Sequence, residues 1–287
     1  MTARAFPKAG AAWIRRVGRR SWERLSQLPA LLLALPYLLI AGYTLLAAFT
    51  PTADLNRGEI GRFTLENFRM AWAAADFPRL YLNTLAFTLG LLLVQLFTVT
   101  TAGFALAQLK ARGKNGLFYL VLVQLFLPPS ALILPNFLLI QRLDLADTLT
   151  ALALPYVASA TGAFLLRQGF LQIPRELLEA AYVDGATPWQ VLWRVLLPLV
   201  RPQLAAFSLV SLVYHWNEFL WPLVVIQSPE KRVLSLGFAS FARSAESGME
   251  WGLIAAGAVL VALPMVVGFL LFQRSFVEAF ARSGLKG

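Results

Sequence analysis

The stretch LYLNTLAFTLGLLLVQLFTVTTAGFALAQL, Leu80–Leu109, contains no Asp, Glu, Lys or Arg. Wound as an α-helix, it exceeds the roughly 30 Å hydrocarbon thickness of a bilayer. A water-facing fold has no use for so long an uncharged run. A lipid-facing one does, because a helix satisfies its own backbone hydrogen bonds. The segment therefore reads as a membrane-spanning helix and sets the class of the chain.

Five further stretches read the same way: Leu28–Thr50, Gly116–Ile140, Thr148–Leu166, Leu204–Ile226 and Gly252–Phe272. Composition agrees. Of the 287 residues, 58% are hydrophobic and 14% charged, against about 25% charged in a soluble domain. A soluble enzyme, a disordered chain and a disulfide scaffold are excluded on that balance. With no cysteine and one histidine, His215, thiol catalysis and multi-histidine metal sites are excluded too. The net charge of +10 does not make this a nucleic-acid binder, since the cations sit in short connections between apolar runs. The expected fold is an all-α integral membrane protein with six transmembrane helices.

The distribution of Lys and Arg sets the orientation. Six spans put both termini on one side, and 17 of the 25 Lys and Arg residues fall on that side. Both termini are thus expected in the cytoplasm, with Pro51–Arg79 and Ser228–Glu250 outside. The first span follows a basic leader, but it is too long for the core of a cleaved signal and is read as a retained helix. The chain divides into a basic cytoplasmic segment, 1–27, a six-helix domain, 28–272, and a cytoplasmic tail, 273–287. Pro36, Pro128, Pro129, Pro135, Pro155, Pro222 and Pro264 fall in or beside the spans. They mark either kinks or the ordinary proline content of membrane helices.

The connection 172–202 carries its own helical grammar. Ile173-Pro174 opens a helix, and Arg175 to Asp184 gives about three turns, with Leu177, Leu178, Ala181 and Tyr182 gathered on one side. Gly185 supplies the left-handed stop. Thr187-Pro188 restarts a helix as cap and first residue, expected to run to Leu197, before Pro198. The product is a bent pair of helices. Asp184 sits in the last turn of the first, where a negative charge is unfavourable, and calls for a partner.

Glu179-Ala180-Ala181, three residues, Gly185, nine residues, Val195, one residue, Leu197-Pro198 resembles the EAA loop of binding-protein-dependent ABC importer permeases. Only valine for isoleucine departs from the family pattern. Trp216-Asn217-Glu218-Phe219-Leu220-Trp221-Pro222 and Tyr81-Leu82-Asn83-Thr84 resemble the carbohydrate branch, and the shorter permease of maltose-type importers in particular. The resemblance implies a type I importer fold, coupled to cytoplasmic ATPase subunits through Glu179, Ala180, Ala181, Asp184, Gly185, Leu197 and Pro198. It further implies a second permease in a heterodimer, two ATPase subunits and an extracytoplasmic sugar-binding protein, all assembled in the inner membrane. No GxxxxGK[ST] phosphate loop is present, so ATP and Mg are expected on a partner and no cofactor on this chain. No residue is a candidate for catalysis or metal binding.

Polar residues inside the spans are the other candidates. Asn83, Trp216, Asn217 and Glu218 suit a translocation path or gate. Structural alternatives are interhelical bonding for Asn83 and for Glu218, the latter with Asn217 or a neighbouring backbone group, and interfacial anchoring for Trp216 and Trp221, whose rings otherwise suit stacking on sugar faces. Gln95, Gln124 and Asn136 suit either solute hydroxyls or neighbouring helices, and His215 reads as packed and hydrogen-bonded. Arg243, Glu246 and Glu250 fit either docking to a delivery protein or a solvated loop. The expected solute is a sugar or oligosaccharide. Alternatives are glycerol phosphate or a polyamine within the same family, or an ion-coupled secondary transporter.

Overall fold

The computed structural model describes residue 29 and residues 31–60, 62–109 and 112–284, with side chains described as far as Leu271. The expected segment 1–27 lies outside the described residues. Every regular element among them is helical. In chain order, α1 is Leu31–Ala48, α2 Thr52–Asn56, α3 Glu66–Ala74, α4 Phe77–Gln108, α5 Lys114–Val123, α6 Ile133–Arg142, α7 Leu149–Ala153 and α8 Ala160–Leu171. The second half comprises α9 Arg175–Val183, α10 Pro188–Gln190, α11 Leu197–Leu199, α12 Arg201–Asn217, α13 Leu220–Val225, α14 Leu234–Ser247 and α15 Trp251–Gly284.

Among the described residues three helices are long and apolar enough to cross a membrane unbroken: α1, α4 and the Trp251–Leu271 part of α15. Three bent pairs complete the set of six if each pair counts as one crossing. The expected span Gly116–Ile140 is broken by 101° between Lys114–Phe126 and Pro129–Arg142. Pro128 and Pro129 have no N–H to donate, and Leu127, ahead of them, is driven into extended backbone. The expected span Thr148–Leu166 bends by 46° between Leu149–Tyr156 and Ala160–Leu171, where the Ser159 hydroxyl accepts from Gly162 N–H and restarts the helix. The expected span Leu204–Ile226 is interrupted too: α12 starts at Arg201 and ends at Asn217, Glu218 is extended, and α13 follows.

The centre of the bundle is α4, which meets α7, α8, α12 and α14. It approaches α8 tightly at Gly103, where a Cβ would lie 2.7 Å from Leu166 Cβ and 3.0 Å from Arg167 N. Around α4 lie three apolar clusters. One gathers Phe77, Leu80, Trp216, Leu234 and Phe241 near α14. One gathers Phe87, Leu91, Leu152, Trp221 and Val233. The third gathers Val99, Phe104, Leu166, Phe170, Leu192 and Phe207 at the α9–α11 end. By contrast α1 is exposed along Leu31, Leu32, Leu33, Leu38, Leu39 and Ile40, as a lipid- or partner-facing helix is.

The connections are more structured than expected. The segment Pro51–Arg79 folds α2 and α3, and the segment after Ser228 folds α14 against α4 and α15. The last helix does not stop at Phe272 but continues to Gly284. Replacing Gly103 by Val should wedge α4 from α8 and cost about 1–3 kcal/mol, read as a lowered melting temperature of the solubilised protein. Gly90→Ala, where a Cβ meets nothing within 4 Å, should leave that temperature unchanged or slightly higher.

Candidate functional site

Breaking a helix inside lipid frees carbonyls that must find other donors. The break between α7 and α8 frees those of Tyr156 and Val157, and α4 catches both. Gln95 Nε2 donates to Tyr156 O at 2.7 Å, and Thr98 Oγ1 to Val157 O at 2.7 Å. The same Gln95 amide lies 3.4 Å from His215 Nε2, while its Oε1 accepts from Ser211 Oγ at 2.5 Å. With the amide oxygen taken by Ser211, the His215 Nε2 contact is an acceptor contact, which leaves the ring proton on Nδ1. That Nδ1 is buried and has no partner.

Beside this network lies a cavity of about 300 Å³. Its wall includes Gln95 of α4, Gln124 and Asn136 from the two arms of the 101° break, Tyr156 and Ser159 from the α7–α8 break, and Ser211, Tyr214 and His215 of α12. None of its lining residues is Asp, Glu, Lys or Arg. Such a wall offers amide and hydroxyl groups on an apolar background. It can hydrogen-bond a polyhydroxylated solute, and it holds no fixed charge to pair with an ion.

The structure brings together Gln95, Gln124, Asn136 and His215 and disperses the other polar candidates. Asn83 Nδ2 donates to Glu230 O and Arg232 O, both at 2.9 Å, stapling α4 to the connection before α14. Trp216 is 6% exposed, packed in the α14–α15 cluster, and donates to Val261 O at 3.4 Å. Its ring faces are available neither to a solute nor to the bilayer surface. Trp221 is equally buried and donates to Ala151 O at 3.2 Å. Asn217 bonds its own helix at Val213 O, 2.8 Å. Glu218 is half-buried at the α12–α13 break, where Oε1 accepts from Trp221 N–H at 3.2 Å and its carbonyl from Ser235 Oγ at 2.6 Å. Tyr156, Ser159, Ser211 and Tyr214 are cavity residues that the sequence reading did not single out. For Ser211 and its neighbour Tyr214 a signal was present in Ser208, Ser211 and His215, polar residues at helical spacing on a mostly apolar segment.

The connection 172–202 forms the expected elbow. At the end of α9, Gly185 N–H donates to Tyr182 O and Ala186 N–H to Ala181 O, both at 3.0 Å. These are the two bonds of a Schellman turn, and Gly185 takes the φ of +79° that it requires. Thr187 and Gln190 then close a reciprocal capping box. The second helix does not end at Leu197. It runs through Pro198 to Leu199, with the wide turns of a π-helix over Val191–Leu196. These wide turns precede Pro198, whose ring crowds the carbonyl four residues back and offers it no N–H. A 79° bend then leads into α12.

Only Leu178 of α9 is fully buried, with Ala181 packed beside it. The expected clustering of Leu177 and Tyr182 with these two is not what forms. Leu177 is 46% exposed, Tyr182 43% and Val183 87%, alongside exposed Glu179, Ala180, Asp184 and Gly185. Asp184 has no side-chain partner among the described residues. Leu197 packs on the interior cluster, and Pro198 is exposed.

A residue absent from the sequence reading organises the opposite end of the bundle. Asp147, at φ +57°, accepts from Gln227 N–H at 2.9 Å and from Ser228 N–H at 3.0 Å. Its carboxylate also takes the Ser228 hydroxyl and Lys231 Nζ, the latter at 3.1 Å. The Ser228 hydroxyl and N–H, assisted by Gln227 and Lys231, hold this carboxyl well below the usual carboxylate range. It ties the α6–α7 connection to the one after α13. Among the described residues, no three His, Cys, Asp or Glu side chains come together to hold a metal ion.

Residues 99–281 match the family described as binding-protein-dependent transport system inner membrane component. The chain is 34% identical over 250 residues to an arabinooligosaccharides transport system permease protein of Halalkalibacterium halodurans, covering 85% of this chain and 89% of that one. It is 29% identical over 282 residues to an sn-glycerol-3-phosphate transport system permease protein of Escherichia coli, covering 93% and 99%. A chain of a bacterial ABC transporter for import of the acidic polysaccharide alginate shares its fold with a TM-score of 0.78 at 21% identity, covering 95% of this chain and 99% of that one.

The Asp147 cluster predicts a pH dependence. Because the folded form lowers this carboxyl, its stabilisation is complete above the ordinary value of 3.8 and is lost as pH falls below it. Asp147→Asn should therefore melt about 2–4 °C below wild type at neutral pH. The gap should narrow below pH 3.8 in melting curves of the solubilised protein.

Proposed function

The chain belongs to the family of binding-protein-dependent transport system inner membrane components, and from that premise we propose that it passes a neutral sugar or oligosaccharide across the inner membrane. One observation supports the solute assignment above the others. The polar cavity is built at two helix breaks, lined by amides, hydroxyls and His215, and carries no charged lining residue. The relatives include permeases named for arabinooligosaccharides and for sn-glycerol-3-phosphate. A charge-free wall suits the first chemistry and gives a phosphate no cation to pair with.

Movement of the solute is driven, in this reading, through the elbow. The Schellman turn fixes the angle between α9 and α10, while Leu177, Tyr182 and Val183 remain uncovered at the polar end of a membrane protein. Exposed apolar residues in such a place fit a protein partner. We assign that partner as an ATP-hydrolysing subunit gripping Glu179, Ala180, Ala181, Asp184 and Gly185. The π-turns, and after them Leu197 and Pro198, carry the push to α12. ATP and Mg belong to that subunit, which places the elbow and both termini in the cytoplasm. A second permease, a second ATPase subunit and an extracytoplasmic sugar-binding protein complete the importer. The Asp147 end, with exposed Arg243, Glu246 and Glu250, faces the binding protein.

Two variants test the assignment in proteoliposomes holding the whole importer. Gly185→Pro cannot adopt a φ of +79° and removes the N–H donated to Tyr182, so ATP-driven oligosaccharide uptake should be lost. Glu179→Ala should weaken retention of the ATPase subunit about tenfold, the loss of one charge-assisted bond. Uptake unchanged by Gly185→Pro, or driven by a proton gradient without ATP, would overturn the reading.

A further inference from the structure

We propose that Phe97 of α4 couples the elbow to the cavity, acting as a positioning residue for solute passage. The inference rests on the importer reading, in which the elbow is the part that a partner moves. It adds the contact by which that motion reaches the cavity.

Three rings make the contact. Phe97 stacks on Trp193 of the π-turns, with ring centroids 6.4 Å apart and planes 18° apart. It meets Trp189 of α10 edge-on at 6.3 Å, and the two tryptophans lie edge to face at 5.6 Å. These are the spacings of interacting aromatic pairs. The elbow is also seated on α4 through a buried cluster that includes Val191, Leu192, Val99 and Phe104. Phe97 differs from that seat in two respects. It is 52% exposed, so truncating it opens no buried void and costs little stability. It also lies in sequence between Gln95 and Thr98, whose side chains hold the Tyr156 and Val157 carbonyls, each at 2.7 Å.

The same turn of α4 has two hydrogen-bonded arrangements open to it. The single hydroxyl proton of Thr98 has two acceptors within reach, Val157 O across the break at 2.7 Å and Gln95 O of its own helix at 3.1 Å. Exchanging the first for the second releases Val157 and leaves the hydroxyl paired. One turn on, Thr101 Oγ1 donates to Phe97 O at 2.8 Å. Hydroxyls that bond carbonyls of the preceding turn compete with the helix's own N–H groups and let it bend.

When the elbow is pushed, Trp189 and Trp193 bear on Phe97 and shift this turn. A shift of about 1 Å takes the Gln95 and Thr98 bonds to the α7–α8 carbonyls out of hydrogen-bond range. The cavity wall at Tyr156 and Ser159 is then free to move. Motion of the elbow is thus read at the cavity as the making or breaking of two hydrogen bonds.

The test uses the whole importer with its delivery protein in proteoliposomes, and the readout is neutral oligosaccharide imported per ATP hydrolysed. Phe97→Ala should lower that ratio about fivefold, with the melting temperature and the retention of the ATPase subunit at wild-type values. Phe97→Tyr keeps the ring and should keep the ratio. Trp193→Ala should lower it by a similar factor. The double variant should be no worse than either single one, because the two rings act through one contact. Should Phe97→Ala fail to assemble, Phe97→Leu is read in its place, with the same expected loss. A ratio unmoved by loss of the ring, one lowered as far by Phe97→Tyr, or losses that multiply in the double variant overturn the proposal. A wild type that imports no neutral sugar on ATP overturns the underlying importer reading instead.

Discussion

A carbonyl released inside lipid has no water to turn to. This constraint shapes the molecule from its centre. The breaks at Leu127–Pro128 and Val157–Ser159 each expose backbone that a straight helix would have satisfied. The α7–α8 break is tolerated because Gln95 and Thr98 stand opposite the freed carbonyls. Those donors sit on α4, the longest unbroken span among the described residues, held against α8 by the absence of a side chain at Gly103. The polar cavity is a by-product of the same repair. Groups brought in to satisfy broken backbone, together with His215 and Ser211, leave hydrogen-bonding capacity facing an open space.

The two ends of the bundle are organised by different means. At the α9–α11 end the geometry is almost wholly local: a Schellman turn, a capping box and a run of wide helical turns. At the other end it is long-range. Asn83 reaches the Glu230 and Arg232 carbonyls, and Asp147 gathers Gln227, Ser228 and Lys231. A bundle clamped by side chains at one end and carrying a self-contained lever at the other is suited to transmitting motion from the lever into the helix pair around the cavity.

Legibility in the sequence followed the same division. The spans, Gly185 as the left-handed stop and Thr187-Pro188 as the restart were readable because each is dictated by residues within a few positions. The ends of the spans were less so. Pro128-Pro129 announced a break but not its 101° angle, and Pro198 looked like a stop when π-turns accommodated it. Amphipathic grouping on α9 failed for Leu177 and Tyr182, because periodicity names a face without saying whether this chain covers it. Asp147, Asn83 and Trp216 could not be placed at all. Their partners lie some 45 to 150 positions away, and no local pattern carries that distance.

The local wiring of the elbow has a consequence for assembly. Since its turn and cap are closed by its own backbone and by Thr187 and Gln190, the lever holds its shape before anything touches it. In the importer proposed above, a subunit that captures it would meet a rigid target and would not pay the ordering entropy that a floppy loop would impose. Recognition in that proposed complex would then turn on how well the partner's surface fits a shape already set.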